Sequence, residues 1–159
     1  MTAIHERLYV NVPFNRAPEY FQEFIRTHQG GHSLSLSAAV ALRTPVADKV
    51  EMRKTVQVTF RRVADPGHLV DRTEVEWHPI DGSPVPAFSG AIVISADEGY
   101  STSCLALEGT YQPPLGKTGL IFDAIIGNKV ARDTARRLLN SVAEDMERTH
   151  RLAFAAKAS

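Results

Sequence analysis

From Thr118 to about Ala156 the chain contains no proline, and apolar residues recur there at helical spacing. That pattern predicts one long C-terminal helix. It is preceded by a proline-glycine turn, Tyr111-Gln-Pro-Pro-Leu-Gly-Lys-Thr-Gly119, and by a body that reads as strands from Ser33 to Tyr111. A β-rich body closed by a single long helix implies a sheet wrapped around that helix. A sheet that grips a helix can enclose a cavity.

The strands follow from period-two alternation. Leu8, Val10 and Val12 share one face of a first strand over Glu6–Val12, which Pro13 ends. Asn15 is placed to cap a helix whose first turn accepts Pro18 and whose buried stripe is Tyr20, Phe21, Phe24, Ile25 and His28. Gly30-Gly31 stops that helix. A second strand puts Leu34, Leu36, Ala38, Val40 and Leu42 on one face, and Thr44–Asp48 turns the chain. In the third, Met52, Val56, Val58 and Phe60 oppose Arg53, Thr55, Gln57, Thr59 and Arg61. After Asp65-Pro-Gly67, Leu69, Thr73, Val75 and Trp77 alternate with Arg72, Glu74 and Glu76. The loop Pro79–Pro86 carries Asp81-Gly82 as its turn signal. Ala87–Ser95 is more evenly apolar, as a central strand would be, and Asp97-Glu-Gly99 leads into a last strand, Ser101–Tyr111. Short connections rich in turn residues imply antiparallel hairpins, hence an α+β domain spanning residues 1–159. The inward face is expected to carry Leu36, Met52, Val56, Val58, Val75, Trp77, Ile92 and Ile94, against Ile126, Val130 and Leu138 of the helix.

Composition excludes several classes of function. Lys+Arg and Asp+Glu are balanced at 18 each, so no global field draws the chain to nucleic acid. No apolar run is long enough for membrane insertion. The lone Cys104 rules out an intramolecular disulfide and a cysteine-based zinc site, and with a polar N-terminus it points to the cytoplasm. His28 and His32 have metal-pair spacing, but Gly30-Gly31 between them breaks the helix. No metal site is expected. There is no phosphate-cradling glycine loop and no nucleophile elbow.

The stretch Leu107-Glu-Gly-Thr-Tyr-Gln-Pro-Pro-Leu-Gly116, followed by Asp123, Gly127, Ala131, Thr134 and Leu138-Leu139, resembles the START-like (SRPBCC) superfamily. Its helix-grip fold is shared by plant pathogenesis-related allergens, polyketide cyclases and lipid-transfer domains. The element order resembles that fold over nearly the whole chain, the motif only over the last third. The resemblance implies a hydrophobic cavity between sheet and helix; it specifies no ligand.

Lys54 falls on the parity of Met52, Val56 and Val58. There it either meets a ligand's anion or snorkels from a strand end to the mouth. Phe60, Trp77, Phe88 and Tyr111 offer flat walls for a pocket or pack as ordinary core. With Val56, Val58, Val75, Ile92, Ile126 and Val130 they complete the candidate ligand-binding set. His68 lies in a turn and His78 at a strand end before Pro79, where each is either a general base at the mouth or a solvated loop residue. Glu74 and Glu76 share the polar face and should pair across strands with Arg53 or Arg61. Arg132, Arg136 and Arg137 are read as exposed on the helix.

The leading expectation is a small-molecule binding protein that holds a lipophilic ligand in the cavity and needs no cofactor. An enzyme of the polyketide cyclase or aromatase type would use the same cavity, with polar groups of opposite role converging inside it. A third reading is an interaction protein acting as a homodimer.

Overall fold

The computed structural model describes residues 2–28, 34–44, 47–63, 72–79, 87–112 and 124–158, and the side chains of these except 34–44, 47–55, 62–63, 124–127 and 158. The elements follow one another as β1 (Thr2–Val10), α1 (Ala17–His28), β2 (Leu34–Thr44), β3 (Ala47–Val63), β4 (Arg72–Pro79), β5 (Ala87–Ala96), β6 (Ser103–Gln112) and α2 (Ala124–Ala158). The strands form one antiparallel six-stranded sheet ordered β1-β6-β5-β4-β3-β2. β2 to β6 are a meander of neighbouring hairpins, while β1 joins the far side of β6. α2 packs against β1 and β2, which are opposite edges of the sheet, and also against α1 and β6. One helix meets both edges only if the sheet curves round it.

Alternation decides the core. Val56, Val58, Val75, Trp77, Phe88, Ile92 and Ile94 are buried on the sheet and belong to one core cluster with Val130, Ala131, Leu138 and Val142 of α2. Exposed Gln57, Glu76 and Ser89 fill the opposite parity of β3, β4 and β5. Leu36, Met52 and Ile126 lie outside the described side chains. A single cross-strand row runs the width of the sheet: Leu34, Val58, Trp77, Phe88, Tyr111 and Thr2 are successive register partners. Within it the rings of Trp77 and Phe88 stack, with centroids 4.1 Å apart and planes 14° from parallel. Such a pair adds to the stabilisation from buried area, by roughly 1 kcal/mol.

Several boundaries differ from the sequence reading: β6 begins at Ser103 rather than Ser101, and Ala47 and Asp48, read as part of a turn, open β3. β1 starts at Thr2 and ends at Val10 because it pairs with β6 from Thr2↔Tyr111 to Val10↔Ser103. Val12 is buried beyond the strand end, where Ser103 Oγ donates to its carbonyl over 2.8 Å. In α1 the first helical bond runs from Tyr20 N to Arg16 O, so Arg16, not Asn15, occupies the N-cap. The expected cross-strand ion pair is present between Arg61 and Glu74, at 2.7 Å from Arg61 Nε. Gly30-Gly31, Asp65-Pro-Gly67, Asp81-Gly82 and the turn before α2 lie outside the described residues.

The β5–β6 turn carries a strained residue. Tyr100 has φ 54°, in the left-handed region, with its side chain 67% exposed. Its amide donates to the Asp97 carbonyl at 2.9 Å, and Thr102 Oγ1 donates to the Asp97 carboxylate at 2.8 Å. That hydroxyl bond, followed by one from the Glu98 amide, holds the Asp97 carboxyl below its ordinary range. A bulky side chain in this region costs free energy that asparagine largely avoids. Tyr100→Asn is expected to stabilise the protein by about 1 kcal/mol. Urea denaturation checks it; a loss of stability would mean that the Tyr100 ring, 6.5 Å from that of Phe14, contributes more than the strain costs.

Candidate functional site

A recess of about 580 Å³ opens where α2 crosses the β1–β6 end of the sheet. The sheet contributes Thr2 and Tyr111, register partners at the end of the cross-strand row. The helix contributes Asn128, Lys129, Arg132, Asp133 and Arg136. Lys129, Arg132, Asp133 and Arg136 stand at i, i+3, i+4 and i+7, the spacing that puts side chains on one face of a helix. Tyr111 is 1% exposed, and its hydroxyl has no hydrogen-bond partner among the described residues.

Beneath the two arginines lies Glu6. Its even position on β1 puts it on the face of Ile4, Leu8 and Val10, and it is only 8% exposed. Arg136 Nε donates to Glu6 Oε2 at 2.9 Å. Arg132 Nε stands 2.9 Å from Oε1, at an angle that makes an ion pair but not a hydrogen bond. The bond to Glu6, and then the attraction of its charge, raises the Arg136 guanidinium above its ordinary pKa. Each guanidinium thus has its Nε beside the Glu6 carboxylate, and Arg136 alone donates from it. Four N–H donors on each remain on the Nη groups, and the side chains are 51% and 59% exposed.

The predicted residues separate. Tyr111 lines this recess. Val56, Val58, Val75, Trp77, Ile92 and Val130 are buried in the core. Phe88 is buried and borders a second recess, of about 320 Å³, shared with Glu76 and His78 on β4. Phe60 is half-buried, meets Phe24 edge-on with centroids 5.8 Å apart, and borders a third recess with Arg61 and Glu74. The backbone of Lys54 pairs with Ala38; its side chain and that of Ile126 lie outside the described residues. His28 Nδ1 bonds the Phe24 carbonyl at 2.7 Å, which accounts for that histidine, and His32 and His68 lie outside the described residues. His78 is exposed, 3.8 Å from Glu76. Among the described residues no group of His, Cys, Asp or Glu is arranged to hold a metal ion, and no helix is long and apolar enough to cross a membrane.

Sequence reasoning missed Glu6 and the inward role of Arg132 and Arg136. The signal was present: a carboxylate on the parity of Leu8, Val10 and Val12, and basic residues at helical spacing on α2. A buried carboxylate needs cations, and that requirement pointed to a basic stripe on the facing helix.

No protein-family model matches this chain, and no curated protein matches it. Among solved structures it is similar to TTHA0849 from Thermus thermophilus, at 14% identity and a TM-score of 0.49, over 91% of this chain and 97% of that one. A likeness at that level establishes neither a shared fold family nor a shared function.

Proposed function

We propose that this is a START-like, helix-grip protein of the cytoplasm that binds a small lipophilic molecule carrying one polar end. The polar end sits in the recess between α2 and the β1–β6 end of the sheet. The observation that carries this reading is the recess of about 580 Å³ that Tyr111, 1% exposed, lines together with Arg132 and Arg136 of α2. That volume lies within the roughly 300–1,000 Å³ of small-molecule sites. Contact of α2 with both edge strands supports the helix-grip assignment. The apolar part of the ligand would supply affinity through buried area, at about 25 cal/mol per Å². Binding requires no cofactor.

Asn128 is half-buried on the wall of the recess, so Asn128→Trp fills it without entering the core. Calorimetric titration with decanoate and with 1-decanol is expected to show 1:1 binding of at least one by the native chain, reduced at least tenfold in Asn128→Trp. Unchanged affinity in the variant would place the ligand elsewhere, and no binding of either probe by the native chain would remove the reading. A native mass spectrum after mild purification distinguishes a co-purified ligand from a homodimer.

A further inference from the structure

The charges around the recess are uneven. Lys129, Arg132 and Arg136 are opposed by Asp133 on the same wall and by Glu6 beneath, which leaves one net positive charge. Glu6 holds both arginines by their Nε ends: Arg136 Nε donates to it and Arg132 Nε forms an ion pair with it. Both side chains are more than half exposed, which leaves guanidinium N–H groups for a carboxylate. Tyr111, 1% exposed, lines the same recess.

We infer that the recess receives a singly charged carboxylate head group on Arg132 and Arg136, and that Glu6 is the positioning residue that sets this charge preference. The inference rests on the proposed binding function and names the class of ligand. A neutral head would leave those guanidinium N–H groups without a charged acceptor. A dianionic head such as a phosphate monoester would add a charge that Asp133 and Glu6 repel. If Glu6 were neutral the net charge would rise by one, and the site would accommodate a dianion.

Three probes with one alkyl chain separate these effects: decanoate, 1-decanol and decyl phosphate, titrated at pH 8.5 and low salt, where surface charge is least screened. The native chain is expected to bind decanoate at least tenfold more tightly than 1-decanol, and decyl phosphate no more tightly than decanoate. Arg136→Gln should weaken decanoate more than 1-decanol and bring the two to within about twofold, because a hydrogen bond to a charged group is lost only with the acid. Glu6→Gln should shift the phosphate-to-carboxylate preference at least fivefold toward phosphate, a change that a purely structural role for Glu6 would not produce. Circular dichroism confirms that each variant folds. Arg136 is more than half exposed, so that arm stands even if Glu6→Gln does not fold. Equal binding of decanoate and 1-decanol by the native chain would overturn the inference while leaving the binding function intact. So would an unchanged decanoate affinity in Arg136→Gln. A folded Glu6→Gln with unaltered preference would remove Glu6 from the assignment. Binding of none of the three probes would remove the function and the inference together.

Discussion

Gly109→Ala is expected to destabilise the protein by about 3 kcal/mol, the upper end of what overpacking a core costs. Gly109 and Gly90 are register partners on the inward face of β6 and β5. A Cβ at Gly109 would stand 2.4 Å from the Ser89 carbonyl oxygen, 2.5 Å from Phe88 Cζ and 2.6 Å from the Gly90 Cα. A Cβ at Gly90 would meet the Glu108 carbonyl oxygen at 2.2 Å and Phe88 Cζ at 2.6 Å. Rotating Phe88 cannot relieve a clash with backbone, and the strands cannot part without breaking the β5–β6 ladder. The glycine pair is therefore where two strands come close and where the Phe88 ring lies down to meet Trp77. For a chain of this size the loss corresponds to a fall in melting temperature of roughly 6–12 °C. Gly99→Ala is the control, since its Cβ would meet only Ser101 Oγ, at an ordinary 3.5 Å. A Gly109→Ala protein as stable as the control would show that the β5–β6 pairing relaxes more readily than its geometry implies.

Glu6→Lys is expected to have a comparable effect for an electrostatic reason. Glu6 is buried among Ile4, Leu8 and Val10 and faces Arg132 and Arg136 from below. Lysine there would bury a cation against two more, and breaking a buried ion pair costs about 3–5 kcal/mol. Because the arginines keep access to water, the lower figure, about 3 kcal/mol, is the one expected. Salt separates this from a packing defect: raising ionic strength should restore part of the loss by screening the repulsion. Arg136→Glu in the same chain should restore part of it as well. Denaturation that is independent of salt and unaffected by Arg136→Glu would mean that Glu6 matters through its shape.

Much of the fold was legible because alternation is a local property. Val56, Val58, Val75 and Trp77 announce their face through their immediate neighbours, and all four are buried. Ile92 and Ile94 sit in an evenly apolar strand where parity is weakest, and they too are buried; so is Ala91 between the parities, which the sequence could not separate from them. The candidate site was legible only in part. Tyr111 lines the recess beside α2, Phe88 and Phe60 border two others, and Trp77 is buried against Phe88; a flat ring that lines a cavity and one that fills a core obey the same pattern. The charged half of the site was hidden differently. Arg132 and Arg136 looked like a solvated helix face, and their exposure is consistent with that, but their Nε atoms turn back to a carboxylate.

The order of elements, the antiparallel hairpins from β2 to β6 and the long closing helix were determined by the sequence alone, through period-two and helical spacing and the turn residues between them. Tertiary structure alone decided where β1 goes. Nothing local says that the first strand lies beside the last, and that placement rests on a register between residues about a hundred positions apart, such as Thr2↔Tyr111. The recess follows from the same placement. It brings Glu6 beneath Arg136 across 130 positions and sets Tyr111 at the foot of α2. Periodicity tells each residue which way to face, but only the closure of the sheet around the helix determines what it faces.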